Sequence, residues 1–125
     1  MPFVSLGLVP EFGITFLLPR LVGNVKAAEQ LLLGVPFKGT EAVALGIANA
    51  ALPEAEVIPH ARQMAERFNS LPSGAVLATK RLLRAGIQSE VNRAIREEAD
   101  VFVQRLRSPE AKQALEAFIH KRRPG

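Results

Sequence analysis

Apolar residues in this chain recur three and four positions apart, and stretch after stretch of them stops at a glycine or a proline. That punctuation limits the fold more than any other feature. The spacing lines apolar side chains along one face of a helix, and a glycine just past the last of them ends it. Ile14, Leu17, Leu18 and Leu21 share such a face, closed by Gly23. Asn24 can cap a second helix through Leu33, with Val25, Ala28, Leu31 and Leu32 inward and Gly34 as its stop. Thr40 caps a short helix ending near Gly46, and Ile47 to Leu52 reads as a short strand or an extended crossing. The spacing then predicts a helix from about Glu54 to Leu71, with Ile58, Ala61, Ala65 and Phe68 inward and Pro59 tolerated near its first turn. Ser73 caps the next helix, which ends at Gly86, and a long charged helix covers roughly Ser89 to Arg107. Ser108-Pro109-Glu110 combines a cap, a first-position proline and a first-turn acid, and starts a helix striped by Ala111, Ala114, Leu115, Phe118 and Ile119. Met1 to Gly13 also escapes the pattern and reads as a loop or strand remnant. The expected class is mainly α, with at most one or two short strands.

At 125 residues, a chain can bury about two-thirds of its unfolded surface, enough for a core without cross-links. Cysteine is absent, which excludes disulfides and thiolate chemistry. Phe is the only aromatic, so stacking platforms for single-stranded nucleic acid are poorly supplied. No apolar run reaches the roughly 18 residues that span a bilayer. Met1-Pro2-Phe3-Val4 has no basic region ahead of its apolar residues, unlike a signal peptide. A cytoplasmic protein without a membrane span is expected. Sixteen basic residues against twelve acidic ones give a net charge of +4. That excess permits an anionic ligand, and its interleaving with acids argues against nucleic acid as a partner.

Among groups that could do chemistry, Glu11 is the lone ionisable side chain in the first nineteen residues. Between Pro10 and Phe12 it has two readings. Burial among apolar neighbours would raise its pKa and suit it to move protons near neutrality. Alternatively, it is a surface-turn acid just ahead of a helix N-terminus. His60 and His120 fall on polar helix sides, outside any nucleophile–base motif. No metal is expected, because cysteine is absent and no His-x-x-x-His or Glu-x-x-His spacing occurs. The glycines form no phosphate-binding loop. The basic tail Lys121-Arg122-Arg123 either meets a phosphate or only complements the helix dipole. Arg93-Ala94-Ile95-Arg96-Glu97-Glu98 mixes signs and reads as an exposed or interfacial helix face, and Phe102 and Phe118 as core or subunit interface.

Taken in order, these pieces resemble a known family. Leu6-Gly7-Leu8-Val9-Pro10-Glu11 and Leu17-Leu18-Pro19-Arg20-Leu21-Val22-Gly23 resemble the crotonase superfamily of enoyl-CoA hydratases and isomerases. So do Ala27 to Gly34, Ala42 to Asn49, Val76 to Leu83 and the ending Glu116-Ala117-Phe118-Ile119-His120-Lys121-Arg122. The match is collinear along the whole chain but covers only the C-terminal half of such a subunit. The resemblance implies the helical C-terminal part of a ββα-spiral subunit. Residues 1–13 would be a remnant of the spiral core and active-site loop, and 14–125 the helical trimerisation region.

The resemblance also implies chemistry. Pro10-Glu11 matches the Pro-Glu that supplies the catalytic carboxylate in many isomerases of the family. Phe3-Val4-Ser5 lacks the acid that hydratases place before the Leu-Gly step, so the likeness is to the isomerase branch. Phe118 and Lys121 match positions that touch the CoA nucleotide, often from a neighbouring subunit, where a lysine suits the phosphates. The substrate would be an acyl-CoA thioester, with no further cofactor and a homo-oligomer as the working form. The family's two oxyanion donors come from upstream segments. Such donors are commonly worth about 3–4 kcal/mol each, so the chain alone is expected to be inactive. The alternative is a helical module derived from that fold, which self-associates or binds a partner.

Overall fold

The computed structural model describes residues 3–122, with side chains through His120. Every regular element among them is helical. A 3₁₀ turn (Val4–Leu6) precedes α1 (Ile14–Val22), α2 (Asn24–Leu33), α3 (Gly39–Ala44) and α4 (Glu54–Glu66). A second 3₁₀ turn (Arg67–Ser70) leads to α5 (Ser73–Ala85), α6 (Gln88–Leu106) and α7 (Pro109–Arg122). The helices fall within a residue or two of where the apolar period puts them, except that the helix expected to run to Leu71 ends at Glu66 and gives way to the second 3₁₀ turn.

The places where the sequence reading fails have local causes. Of the two readings of residues 47–52, a short strand or an extended crossing, the strand does not form. The N–H groups of Ile47 and Ala48 both turn back to the Ala42 carbonyl, at 2.8 and 3.1 Å, and wrap the end of α3. The opening segment is likewise a 3₁₀ turn rather than a strand remnant. Asn24, Thr40 and Ser73 lie inside their helices, not at the caps. Gly23, Lys38 and Pro72 hold those positions, with no side-chain cap bond. At α3 the Glu41 carboxylate does the work instead, accepting the Lys38 N–H at 2.9 Å. Ser108 does cap α7, since its hydroxyl accepts the Ala111 N–H at 3.2 Å.

The core is small and built largely from small residues. α1 packs on α2 and α6, while α7 packs on α6 and the first 3₁₀ turn, which also meets α2. Leu18, Ala27, Ala94 and Ala111 are buried at these crossings. Gly7 shows how tight they are. It has φ +70°, and a Cβ there would lie 2.8 Å from both Cα and N of Ala111. A side chain at position 7 would have to push the start of α7 away.

α4 and α5 stand apart from this core. They meet through the second 3₁₀ turn, and neither has a buried residue. The face expected to point inward is exposed, with Ile58 at 61% and Phe68 at 59%. Leu82 and Leu83 on α5 are more open still. The chain exposes 9681 Å², whereas a compact monomer of its mass would expose about 6,600 Å². The excess is several times the roughly 800 Å² that one partner contributes to an ordinary interface.

Gly7→Ala should destabilise the chain by about 2–4 kcal/mol, combining the left-handed backbone penalty with overlap on α7. Thermal denaturation against the parent chain checks this. An unchanged midpoint would mean that the 7–111 contact is not closed in solution.

Candidate functional site

The loop ahead of α1 has unusual backbone. Pro10 is buried, Glu11 half-buried and Phe12 78% exposed. Phe12 has φ 69° and is the one non-glycine residue at positive φ among the described residues. Gly13 follows at φ 74°. A bulky residue in the left-handed region costs about 1–2 kcal/mol, so something must hold the turn.

That something is Glu98, from the middle of α6. It is 6% exposed. Its Oε2 accepts the Gly13 N–H at 2.6 Å, and its Oε1 accepts the Thr15 N–H at 2.9 Å and the Thr15 hydroxyl at 2.6 Å. Burying a carboxylate is costly unless its lone pairs are filled. Here three donors fill them, two of them N–H groups that a helix start leaves without intrahelical partners. The charge also lies at the positive end of the α1 dipole.

The same face of α6 holds the other end of the loop. Arg105 donates from Nε to the Gly7 carbonyl at 3.0 Å, and its guanidinium pairs with the Glu110 carboxylate at the start of α7. Of the two readings of Arg93 to Glu98, exposed or interfacial, each holds for part of the run. Arg93, Arg96 and Glu97 are exposed, but Ala94 and Glu98 are buried. A sequence signal for this exists. Val91, Ala94, Glu98, Phe102 and Arg105 fall three and four apart, so two charges occupy positions of the apolar stripe.

The exposed ion pairs differ in kind. The Arg93 guanidinium bonds the Glu90 carboxylate at 2.6 Å and holds its pKa below the ordinary value. Glu90 and Glu97 in turn raise that of Arg93, and Glu29 raises that of Lys26. The Glu90 contribution is present at neutral pH and lost as pH falls through its lowered pKa. Solvent-exposed pairs of this type contribute little to stability.

The other expected site residues lie as follows. Phe118 is 43% exposed on α7, two turns beyond the Ala111 that Gly7 packs against. Lys121 lies in α7, but its side chain falls outside the described residues, as do the side chains of the rest of the basic tail. His120 is exposed, and His60 is half-buried beside Leu52, Val57 and Met64. No cluster of three His, Asp or Glu that could hold a metal ion occurs among the described residues, and no helix there is long and apolar enough to cross a membrane.

Two concavities matter. A groove of about 670 Å³ runs along α5, between Phe68, Leu71, Val76 and Leu83, with Lys80 and Arg84 also lining it. A smaller one of about 340 Å³ borders the Glu11 loop, lined by Val9, Pro10, Thr15, Pro19, Ala27 and Leu31. Neither lining holds an acid. Glu11 directly follows Pro10, which lines the smaller concavity.

Comparison with known proteins gives these features a context. A family model described as enoyl-CoA hydratase/isomerase matches residues 1–125. A probable enoyl-CoA hydratase of Bacillus subtilis is 34% identical over 125 residues, which cover 99% of this chain and 48% of that protein. The structure of Pseudomonas aeruginosa OdaA matches with a TM-score of 0.93 at 55% identity, over 96% of this chain and 49% of that one. An enoyl-CoA hydratase/isomerase from Pseudoalteromonas atlantica matches with a TM-score of 0.88 at 32% identity, over 99% and 50%. The chain spans about half the length of the curated relatives it matches.

Glu98→Ala leaves two N–H groups and a hydroxyl without their acceptor and should cost about 3 kcal/mol or more. Glu90→Ala should leave the thermal midpoint unchanged at neutral pH. Equal effects in one set of melts would show that the Glu98 bonds do not persist in solution.

Proposed function

This chain belongs to the enoyl-CoA hydratase/isomerase family, or crotonase family, and we propose that it carries the carboxylate end of an acyl-CoA double-bond isomerase site. The observation that carries the reading is Glu11, a half-buried acid on a strained, clamped turn beside an apolar concavity. In this family coenzyme A enters as part of the thioester substrate, and no further cofactor is needed.

The chemistry is proton transfer next to a thioester. The Glu11 carboxylate removes a proton from the carbon α to the carbonyl, and negative charge moves onto the thioester oxygen as an enolate. Donors outside these residues stabilise that oxygen. Glu11 then returns the proton at the γ carbon, so a 3-enoyl thioester becomes the trans-2-enoyl thioester with no net change in atoms. One acid suffices for this shuttle. Hydratases of the family tend to place a second acid before the Leu-Gly step, and Phe3-Val4-Ser5 offers none. The curated relatives are named as hydratases, so the choice of isomerase rests on Pro10-Glu11 and that missing acid. The concavity lined by Val9, Pro10 and Leu31 suits an acyl chain, and Phe118 and Lys121 would meet the CoA nucleotide. In this reading residues 1–13 are a remnant of the spiral core and active-site loop, and 14–125 the helical trimerisation region.

The exposed apolar faces of α4 and α5 support a second reading, a helical module that self-associates or docks on a partner. Large exposed apolar patches mark interaction sites.

Because the oxyanion donors lie outside these residues, the chain alone should show no turnover; joined to the N-terminal half of a full-length family member, it is mixed with a 3-enoyl-CoA and the 2-enoyl product followed, with Glu11→Gln as control. Turnover that disappears in the variant supports the isomerase. Absence of turnover together with absence of a CoA-dependent thermal shift favours the module. Sedimentation at micromolar concentration should give an oligomer, and a compact monomer would count against self-association.

A further inference from the structure

We propose that Glu98 and Arg105 are positioning residues for Glu11, fixing the Gly7–Gly13 segment at both ends along one face of α6. The inference rests on the reading of Glu11 as the acid–base group.

Glu98 receives the Gly13 N–H, and Arg105 donates to the Gly7 carbonyl. The two anchors have opposite polarity, so each fits only its own end of the segment. They are seven residues apart on α6, a rise of about 10.5 Å. Six residue steps of extended chain would reach about 20 Å. The segment therefore bows between its anchors, and Glu11 lies on the bow. The sharpest bend is at its C-terminal end, where Phe12 and Gly13 both have positive φ. There Gly13 comes so close to α6 that a Cβ would lie 3.3 Å from Ile95 Cγ1. A turn that Phe12 would not adopt unaided persists because Glu98 binds the next residue. At the other end, Arg105 also pairs with Glu110, which links the segment to α7 and so to the helix that carries Phe118.

The test is backbone amide exchange and ¹⁵N relaxation on the full chain. Glu98→Gln should lower protection of the Gly13 and Thr15 amides about tenfold or more. It should also mobilise Glu11, while the Ala111 amide stays protected. Arg105→Gln should mobilise Gly7 to Val9 instead, and the double variant should free the whole segment. Thr15→Val removes only the hydroxyl bond and gives a milder case should Glu98→Gln fail to fold. Glu98→Asp keeps the charge and should restore part of the order at Glu11, which a simple loss of stability would not distinguish from Gln. An unchanged Glu11 backbone in the folded double variant would overturn the proposal. Glu11→Gln separates the two ideas. If it leaves the 3-enoyl-CoA turnover of the chain joined to a family N-terminal half unchanged while the anchor variants still mobilise the segment, the catalytic reading fails and the anchoring stands.

Discussion

The bonds between the Glu98 carboxylate and the start of α1 are the contact on which the rest of this structure most depends. A charge at that depth is unfavourable by itself, and two N–H groups left open by a helix start are unfavourable too. Together they cancel each other's cost. The arrangement joins residues 83 and 85 positions apart in the chain and sets the seat of α1 on α6. Few large side chains assist. Among the described residues Leu18 is the only large one almost wholly enclosed, and the other crossings are closed by alanines. Where packing is this lean, directional bonds decide more of the geometry than apolar area does. The same carboxylate holds the turn that follows Glu11, so the stability of the fold and the geometry of the candidate site share one group.

The remaining helices follow a different logic. α4 and α5 have the sequence of amphipathic helices, yet their apolar faces meet solvent. Their pattern is that of elements made to be covered. Relatives about twice as long as this chain are consistent with a large complementary surface, and the excess exposed area is of the size such a surface would take. The anchored core and the exposed α4 and α5 are thus two energetic regimes in one chain. One is set by close backbone approach, and the other by apolar area left in solvent.

Much of this was legible in the sequence. The apolar period and its glycine stops located α1, α2, α5 and α7 closely, because helix faces and helix ends are local properties. Ser108-Pro109-Glu110 worked as a start signal for the same reason. Inward faces were less legible, since Ile58 and Phe68 point to a side that nothing in these residues covers. Capping by Asn24, Thr40 and Ser73 failed because the backbone entered those helices one or two residues early. Glu11 stood out as an isolated acid, but the groups that hold its loop did not. Glu98 read as part of a mixed-sign face, exposed or interfacial, and Arg105 carried no signal of its own; only the fold brings their face against residues 7 to 15. Bonds between positions 83 to 98 apart leave only a faint trace in sequence, here two charges set into an apolar stripe.

The spacing of those two charges bears on how the chain tolerates changes in length. α6 acts as a ruler with marks at 98 and 105. One residue inserted between the marks would turn one of them about 100° around the helix axis and slide it about 1.5 Å, so both could no longer grip the same loop. Substitution on the outer face, at Arg93, Arg96 or Glu97, would disturb neither mark. The helix can thus drift freely in outer composition while its residue count between the marks stays fixed.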